Sequence, residues 1–333
     1  MTSELDLKGK DITDDPAIEK VIEAQGKLSA AMRKIGTLET DRKQLLEEYS
    51  DMVGKRPVPV SPNRCSIAEK AVSVRVSVGD LHGMRMDKGA VRAFLADLKM
   101  LNPDVVVLGG DMLECGGWLA KHQPIGFIAL LDYTYQEDIG AANWFLNEVQ
   151  KAAPKAEVHY MEGQHEDRIE RWIVDQVTAN ARDAEFLYSL VSPYTLLRLK
   201  ERNISYYRRS MVYGEGLPRG WVKLGNMHFT HELGTSQNAA ASAVSKTAGN
   251  VTYFHTHRED SATRIFPAIG ACRAFNPGCM CTMQPVWRNS DPTNWSQGYG
   301  IDFITKSSQF MHTNIPIWKG KTMLSSMVEL FKT

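Results

Sequence analysis

Five short motifs rich in metal-ligand side chains follow one another along this chain: Asp80-Leu81-His82, Gly110-Asp111, Gly163-Gln164-His165-Glu166, His231 and His255-Thr256-His257. Each stands at the end of a stretch that reads as a strand, and open α/β sheets place their ligands at strand ends. A fold that accommodates the chain therefore has to gather several strand ends at one place. Carboxylates and imidazoles in this number suit two divalent ions, which at roughly 3.5–4 Å apart clamp a phosphate and generate a nucleophile near neutral pH.

The strands are legible from their spacing. Val72, Val74, Val76 and Val78 alternate up to Gly79-Asp80, which predicts a β-strand that delivers the first motif. Residues 90–100 have helical spacing, and residues 104–108 form a buried-type strand running into Gly109-Gly110-Asp111, which completes a β-α-β unit. A helix is expected over residues 144–151, a strand over 157–161 ending at Gly163-Gln164-His165, and a helix over 166–177. In the second half, residues 221–224 and 227–230 read as short strands before His231, followed by an Ala-rich helix. Residues 251–254 form a strand that delivers His255 and His257, with residues 264–269 as its expected hairpin partner. The expected class is α/β, with two sheets packed face to face.

The N-terminal part differs. Residues 1–53 carry a helical rhythm (Ile18, Val21, Ile22, Leu28, Met32, Ile35, Leu45, Tyr49, Met52) interrupted near Gly26 and Gly36. This predicts a helical arm that packs on the main domain or pairs with another subunit. Residues 26–36, with Arg42 and Lys43 beyond them, also loosely resemble a helix-turn-helix, although Glu39 and Asp41 would oppose phosphates. Residues 54–63, with Pro57, Pro59 and Pro62, read as an extended linker, leaving residues 64–333 as the catalytic domain.

Composition narrows the classes. The chain is 43% hydrophobic and 23% charged, as expected of a globular protein with a sizeable core. Lys+Arg and Asp+Glu balance at 39 each, so no global positive field gathers nucleic acid, although a local basic groove is compatible with that balance. The polar start lacks the pattern of a secretory signal, and the apolar run at residues 125–131 is far short of the roughly 20 residues that span a bilayer, so a cytoplasmic protein with no membrane partner is expected. Cys65, Cys115, Cys272, Cys279 and Cys281 are odd in number and irregular in spacing, which fits reduced thiols better than a disulfide framework. The last three are weak zinc-ligand candidates, since they lack paired C-x-x-C spacing.

Within the motifs, Asp80 and His82 can turn to one ion from a strand end, the carboxylate supplying charge and the imidazole a directional donor. Asp111 can bridge two cations through its two oxygens. His255 and His257, two positions apart, lie on one side of a strand terminus and can serve one ion each.

On these motifs the chain resembles the calcineurin-like metallophosphoesterase superfamily over about residues 71–258, and is most similar to its phage-type and prophage-type members. That resemblance implies a four-layer α/β/β/α sandwich of two mixed sheets flanked by helices, behind the N-terminal helical arm. It implies that Asp80, His82 and His257 hold the first ion, that Asp111 bridges, and that His231 and His255, with Gln164 at the family's asparagine position, hold the second. His165 would face the scissile phosphate and assist the leaving oxygen. Two departures stand out: glutamine at 164, whose extra methylene the loop must absorb, and Phe254 in place of the glycine before the last histidine pair, where it would narrow access.

The implied activity is in-line attack of a metal-bridging hydroxide on a phosphodiester, by a nuclease acting on DNA or RNA in a bacterial host cytoplasm. Mn²⁺ is the expected metal, with Zn²⁺, Fe and Ni²⁺ as alternatives. A phosphomonoesterase and a non-catalytic binding protein are the competing readings. Trp118, Lys121 and His122, after Asp111, are candidate substrate contacts, as are Arg208 and Arg209 in the run Tyr206-Tyr207-Arg208-Arg209. Arg168 is expected to pair a nearby carboxylate.

Overall fold

β1 (Val72–Val78) shows how the sequence pattern becomes layers. Val76 and Val78 join the large core under the helices, while Arg75 on the opposite face reaches Leu224 of the second sheet. β2 (Val105–Leu108) repeats this: Val106 and Leu108 face the helices, Val105 and Val107 the space between the sheets. Period-two alternation thus buries both faces of one sheet in two different cores.

The computed structural model describes residues 16–54, 72–116, 132–176, 183–284 and 293–324. The chain divides into two units at Lys55/Arg56.

The first unit contains α1 (Pro16–Gly54), one continuous helix of 39 residues. The interruption expected near Gly26 and Gly36 is absent: the helix passes through both, since a single interior glycine costs only about 1 kcal/mol relative to alanine. The turn that a helix-turn-helix requires is therefore not found there. The Pro-rich linker, apart from Gly54, lies outside the described residues.

In the second unit, α2 (Lys88–Leu101) follows β1, with Asp87 capping it by accepting from Gly89 and Ala90 N–H. After β2 comes α3 (Tyr135–Ala152), which starts nine residues before the expected position because Thr134 and Glu137 form a reciprocal capping box. β3 (Glu157–Met161) leads into α4 (Gln164–Gln176), so Gln164 and His165 belong to a helix's first turn. α5 (Ala184–Val191) and the single turn α6 (Pro193–Leu196) precede β4 (Ser205–Tyr207). β5 (Val222–Leu224), β6 (Met227–Thr230), α7 (Ala239–Thr247), β7 (Val251–Tyr253), β8 (Glu259–Phe266) and β9 (Gly270–Pro277) follow. β10 (Gln297–Thr305) and β11 (Phe310–Ile317) complete the described strands.

One sheet has the order β11-β10-β1-β2-β3-β4 and the other β5-β6-β7-β9-β8. Both are mixed: β1 pairs parallel with β2 and antiparallel with β10, while β7 pairs parallel with β6 and β9 and β8 antiparallel with β9. Val105, Val107 and Met161 of the first sheet meet Val222, Met227, Phe229 and Phe275 of the second. α7 covers the second sheet's outer face through Ala239, Ala240, Ala243 and Val244. The arrangement is the expected α/β/β/α sandwich.

One strand pairing is corrected. β7 has no hairpin partner in residues 264–269; β8, which contains the first half of that stretch, pairs with β9, and β9 lies between them. β4, which holds Tyr206 and Tyr207, adds a parallel edge strand to β3. Among the described residues, no helix is long and apolar enough to cross a membrane.

Candidate metal centre

The motifs after β1, β2, β3, β6 and β7 converge at one end of the two sheets. Five of their residues hold left-handed backbone: Asp80 (φ 53°), His82 (55°), Asp111 (50°), His255 (73°) and His257 (57°). Each such conformation costs a non-glycine residue on the order of 1–3 kcal/mol and persists only where the surroundings over-determine it. Here they do. Asp80 N–H donates to Gly110 O (3.0 Å), His82 N–H to Asp111 O (2.9 Å) and Phe254 N–H to His231 O (2.9 Å), tying the loops to one another.

Two buried carboxylates outside the ion-facing set hold these loops. Glu166 accepts from the N–H groups of Asp111 (3.0 Å), Met112 (2.7 Å), Leu113 (3.1 Å) and Gly163 (2.9 Å), and from Tyr160 O–H (2.8 Å). Asp138 on α3 accepts from the N–H groups of Met84 (3.0 Å), Glu114 (2.9 Å) and Cys115 (2.8 Å). Phe254, expected to narrow access, instead lies fully buried beneath the site. Its ring lies where a Cβ on Gly79 or Gly109 would be, 2.4 Å and 2.2 Å from the nearest ring carbons, so only glycine backbone fits over it.

The centre has a buried floor of Asp80, His82, Asp111, His231 and His257 and a half-buried rim that includes Gln164, His165 and His255. Donor atoms of Asp80, His82 and Asp111 lie within 4.8 Å of one another, as do those of Asp111, His231 and His255. Asp111 thus belongs to both groups. Asp111 Oδ2 is 3.1 Å from His231 Nε2 and its Oδ1 accepts from His165 N–H (2.8 Å).

Orientation of the imidazoles is set from behind. His231 Nδ1 lies 2.9 Å from Gly109 O, which makes Nδ1 the donor and turns the Nε2 lone pair toward Asp111. His82 Nδ1 lies 2.5 Å from Glu114 Oε2, and His257 Nδ1 3.7 Å from Cys281 Sγ. The two rings then oppose their Nε2 atoms across 3.0 Å, with Asp80 Oδ1 3.3 Å from His257 Nε2. Asp80 Oδ1 and His231 Nε2 are buried without a hydrogen-bond partner. Acceptors converging in this way need a cation among them, because an uncompensated buried acceptor is costly. The donor set fits divalent ions: Asp80, His82, His257 and Asp111 around one, Asp111, His231 and His255 around the other, with imidazole and carboxylate ligands suited to Zn²⁺, Mn²⁺ or Fe.

The electrostatics agree. Burial works against ionisation of Asp80 and Asp111, yet the neighbouring histidines outweigh it and hold both carboxyls below the ordinary value. Burial keeps His82 below the usual imidazole range despite the Glu114 carboxylate beside it, and burial together with His231 does the same for His255, in the neutral form that binds metal. Against burial, Asp111 draws His231 up to about 9. The carboxylates demand positive charge, which imidazolium protons or metal ions can supply.

His165 stands at the rim. Burial lowers its basicity, but Asp111 and Glu114 outweigh that and push its pKa up to about 9. Its Nδ1 lies 2.8 Å from Glu114 O and 3.2 Å from Glu114 Oε2. Arg168 does not pair a carboxylate as expected: its guanidinium lies 3.1 Å from His165 Nε2 and 3.3 Å from Glu114 O, because α4 puts residues three apart on one face.

Other expected contacts are taken up within the fold. Gln164 donates its amide N–H to Glu232 Oε2 (2.7 Å). Arg208 pairs with Glu170 (3.0 Å) and stacks on Tyr188, and Arg209 pairs with Glu232 (2.9 Å) and Asp167 (3.3 Å). Both candidate phosphate contacts are engaged within the fold. Trp118, Lys121 and His122 lie outside the described residues. Of the weak zinc-ligand candidates, Cys281 does stand beside His257. Sequence reasoning missed Glu114, Asp138 and Trp295, whose ring centroid is 4.1 Å from that of His257. Glu114, three residues after Asp111, left a signal in its spacing; the others are distant in sequence from what they touch.

Glu114 supports two histidines, so Glu114→Gln, which keeps the size and removes the charge, is expected to lower metal affinity or kcat/KM by about 10–100-fold, the usual effect of losing a ligand's supporting carboxylate. Metal titration of the purified variant checks it.

The fold and site define an α/β sandwich with a buried histidine and carboxylate centre fit for two divalent cations. No family model matches the chain, and no curated protein matches it. Among solved structures, it aligns with a single mutant of Vps29 from Entamoeba histolytica at 13% identity, covering 75% of this chain and 95% of that one, with a TM-score of 0.35. YfcE, a phosphoesterase from E. coli, aligns at 15% identity over 73% of this chain and 98% of that one, TM-score 0.31. A phosphatase from Mycoplasma pneumoniae aligns at 12% identity over 74% and 93%, TM-score 0.37. At identities and TM-scores this low neither name nor activity transfers, and the centre's own geometry carries its chemistry.

Proposed function

We propose that the protein is a two-metal phosphodiesterase of the calcineurin-like kind, acting on nucleic acid. The observation that carries this reading is Asp111: its carboxylate is shared by two groups of buried donors and lies beside His165. Divalent ions held there supply Lewis-acid charge and lower the pKa of water, providing a nucleophile near neutral pH.

The chain's own residues do the rest. Asp80, His82 and His257, with the shared Asp111, hold the first ion, and His231 and His255 complete the second set. His165 stands beside the shared Asp111 with Nδ1 donating to Glu114 O and Nε2 facing the Arg168 guanidinium, a pair placed to meet a departing oxygen. Arg168 beside it adds fixed positive charge for the developing negative charge on phosphorus oxygens. The pairing of Arg208 and Arg209 within the fold leaves the nucleic-acid reading to rest on the resemblance of the motifs.

The test is hydrolysis of bis-p-nitrophenyl phosphate and of the matching monoester with Mn²⁺ or with EDTA. Diester cleavage that disappears with EDTA and returns with Mn²⁺ is expected, followed by cleavage of single- or double-stranded DNA or RNA. Faster monoester turnover would move the assignment to a phosphomonoesterase. A folded protein with no bound metal and no turnover would favour a binding protein that kept the fold, the reading that the Gln164 to Glu232 hydrogen bond supports.

A further inference from the structure

α1 exposes a stripe of large apolar side chains: Leu28 (61% exposed), Met32 (64%), Ile35 (54%) and Leu38 (58%). A helix of 39 residues is about 58 Å long, and leaving such a stripe in water is unfavourable. Read in sevens, the sequence places Val21, Leu28, Ile35, Arg42 and Tyr49 at one recurring position and Ala24, Ala31, Leu38, Leu45 and Met52 three residues further on. A seven-residue repeat that is apolar at every core position but Arg42 is the pattern of a left-handed coiled coil. Gly26 and Gly36 fall at outward positions of that repeat, where an added Cβ would meet nothing within 4 Å.

We propose that this segment pairs with the same segment of a second copy of the chain, antiparallel, as a two-stranded coiled coil. Orientation follows from size and charge. A parallel pair sets position 42, an arginine, against itself and leaves alanine on alanine at positions 24 and 31. An antiparallel pair with position 35 opposite 38 sets 28 opposite 45 and 21 opposite 52. It also sets 24 opposite 49 and 31 opposite 42, so each alanine meets a large residue. On one flank this register pairs Lys34 with Asp41 and Lys27 with Glu48 of the other copy, opposite charges in both cases, while the other flank, with Met32 opposite Glu39 and Gln25 opposite Leu46, brings no like charges together. Lys27 already pairs with Glu23 (2.6 Å) in the single helix; that pair is exposed and weak, so exchanging it costs little. The interface is self-complementary, as a two-fold dimer requires. It is independent of the phosphodiesterase reading.

The test uses the full chain. Light scattering should give twice the 37.3 kDa chain mass, and Leu28→Glu combined with Leu38→Glu should return a monomer with unchanged turnover of bis-p-nitrophenyl phosphate. In a Cys65→Ser background, Ala24→Cys together with Tyr49→Cys should cross-link on mild oxidation, and Ala24→Cys alone should not. A monomeric parent protein at micromolar concentration, or a dimer that survives the two glutamates, overturns the proposal. Cross-linking by Ala24→Cys alone overturns the antiparallel arrangement.

Discussion

Asp111→Asn should lower kcat/KM for bis-p-nitrophenyl phosphate by on the order of 10³-fold or more, equivalent to about 4 kcal/mol of transition-state stabilisation. Asparagine keeps the shape and one carbonyl oxygen, so the hydrogen bond from His165 N–H to Oδ1 survives and the loops stay in place. What is lost is the buried charge that both groups of donors share, with Oδ2 only 3.1 Å from His231 Nε2. An amide does not bridge two cations, and the amide N–H₂ that replaces Oδ2 points a donor where a cation is needed. Bound metal, measured beside the rate, should fall from about two ions per chain. A variant that keeps both ions and full turnover would remove Asp111 from the centre and the two-metal assignment with it.

Asp302→Asn should cost about 3–5 kcal/mol of stability, the effect of stripping one partner from a buried ion pair. Asp302 on β10 accepts from Arg75 Nε (2.8 Å) and from His312 Nδ1 (2.7 Å), and all three side chains are almost fully enclosed. Asparagine leaves the Arg75 guanidinium uncompensated between the two sheets, where its other contacts are Leu224 O and the Phe229 ring. The expected fall in Tm is on the order of 10 °C. Replacing both partners, Arg75→Met with Asp302→Leu, should cost less, because the guanidinium is then no longer stranded and only His312 Nδ1 loses its acceptor.

The same carboxylate sets a pH dependence. Burial disfavours its charge, but His312 and Arg75 outweigh burial and hold it below the ordinary value of 3.8. Its stabilisation is therefore fully present above about pH 4 and is lost as pH falls through the lower folded value, so the parent should lose more stability below pH 4 than Asp302→Asn does. Parallel acid-unfolding curves for the two proteins would contradict it.

Much of the fold was readable because its signals are local. β1, β2 and β3 announce themselves by valine alternation or by a short apolar run, and each ends in glycine beside a ligand residue. β10 and β11 went unread. β11 mixes Met311, His312, Thr313 and Asn314 with no clean alternation, and β10 inserts beside β1 from more than two hundred residues away. The pairing of β8 with β9 and not with β7 is likewise a choice among strands of similar local character, settled by which edge remains open in the sheet.

The sequence by itself determined that carboxylates and imidazoles stand at the ends of successive strands, because strand periodicity and glycine turns are properties of neighbouring residues. Only the tertiary structure decided what those groups touch. His82 meets His257 across 175 residues of sequence, Glu114 turns out to hold both His82 and His165, and Arg209, basic enough to suggest a phosphate contact, is already paired with Asp167 and Glu232. A charge's partner is set by distance in space, and in a sandwich of mixed sheets that distance is fixed by strand order and loop closure rather than by separation along the chain.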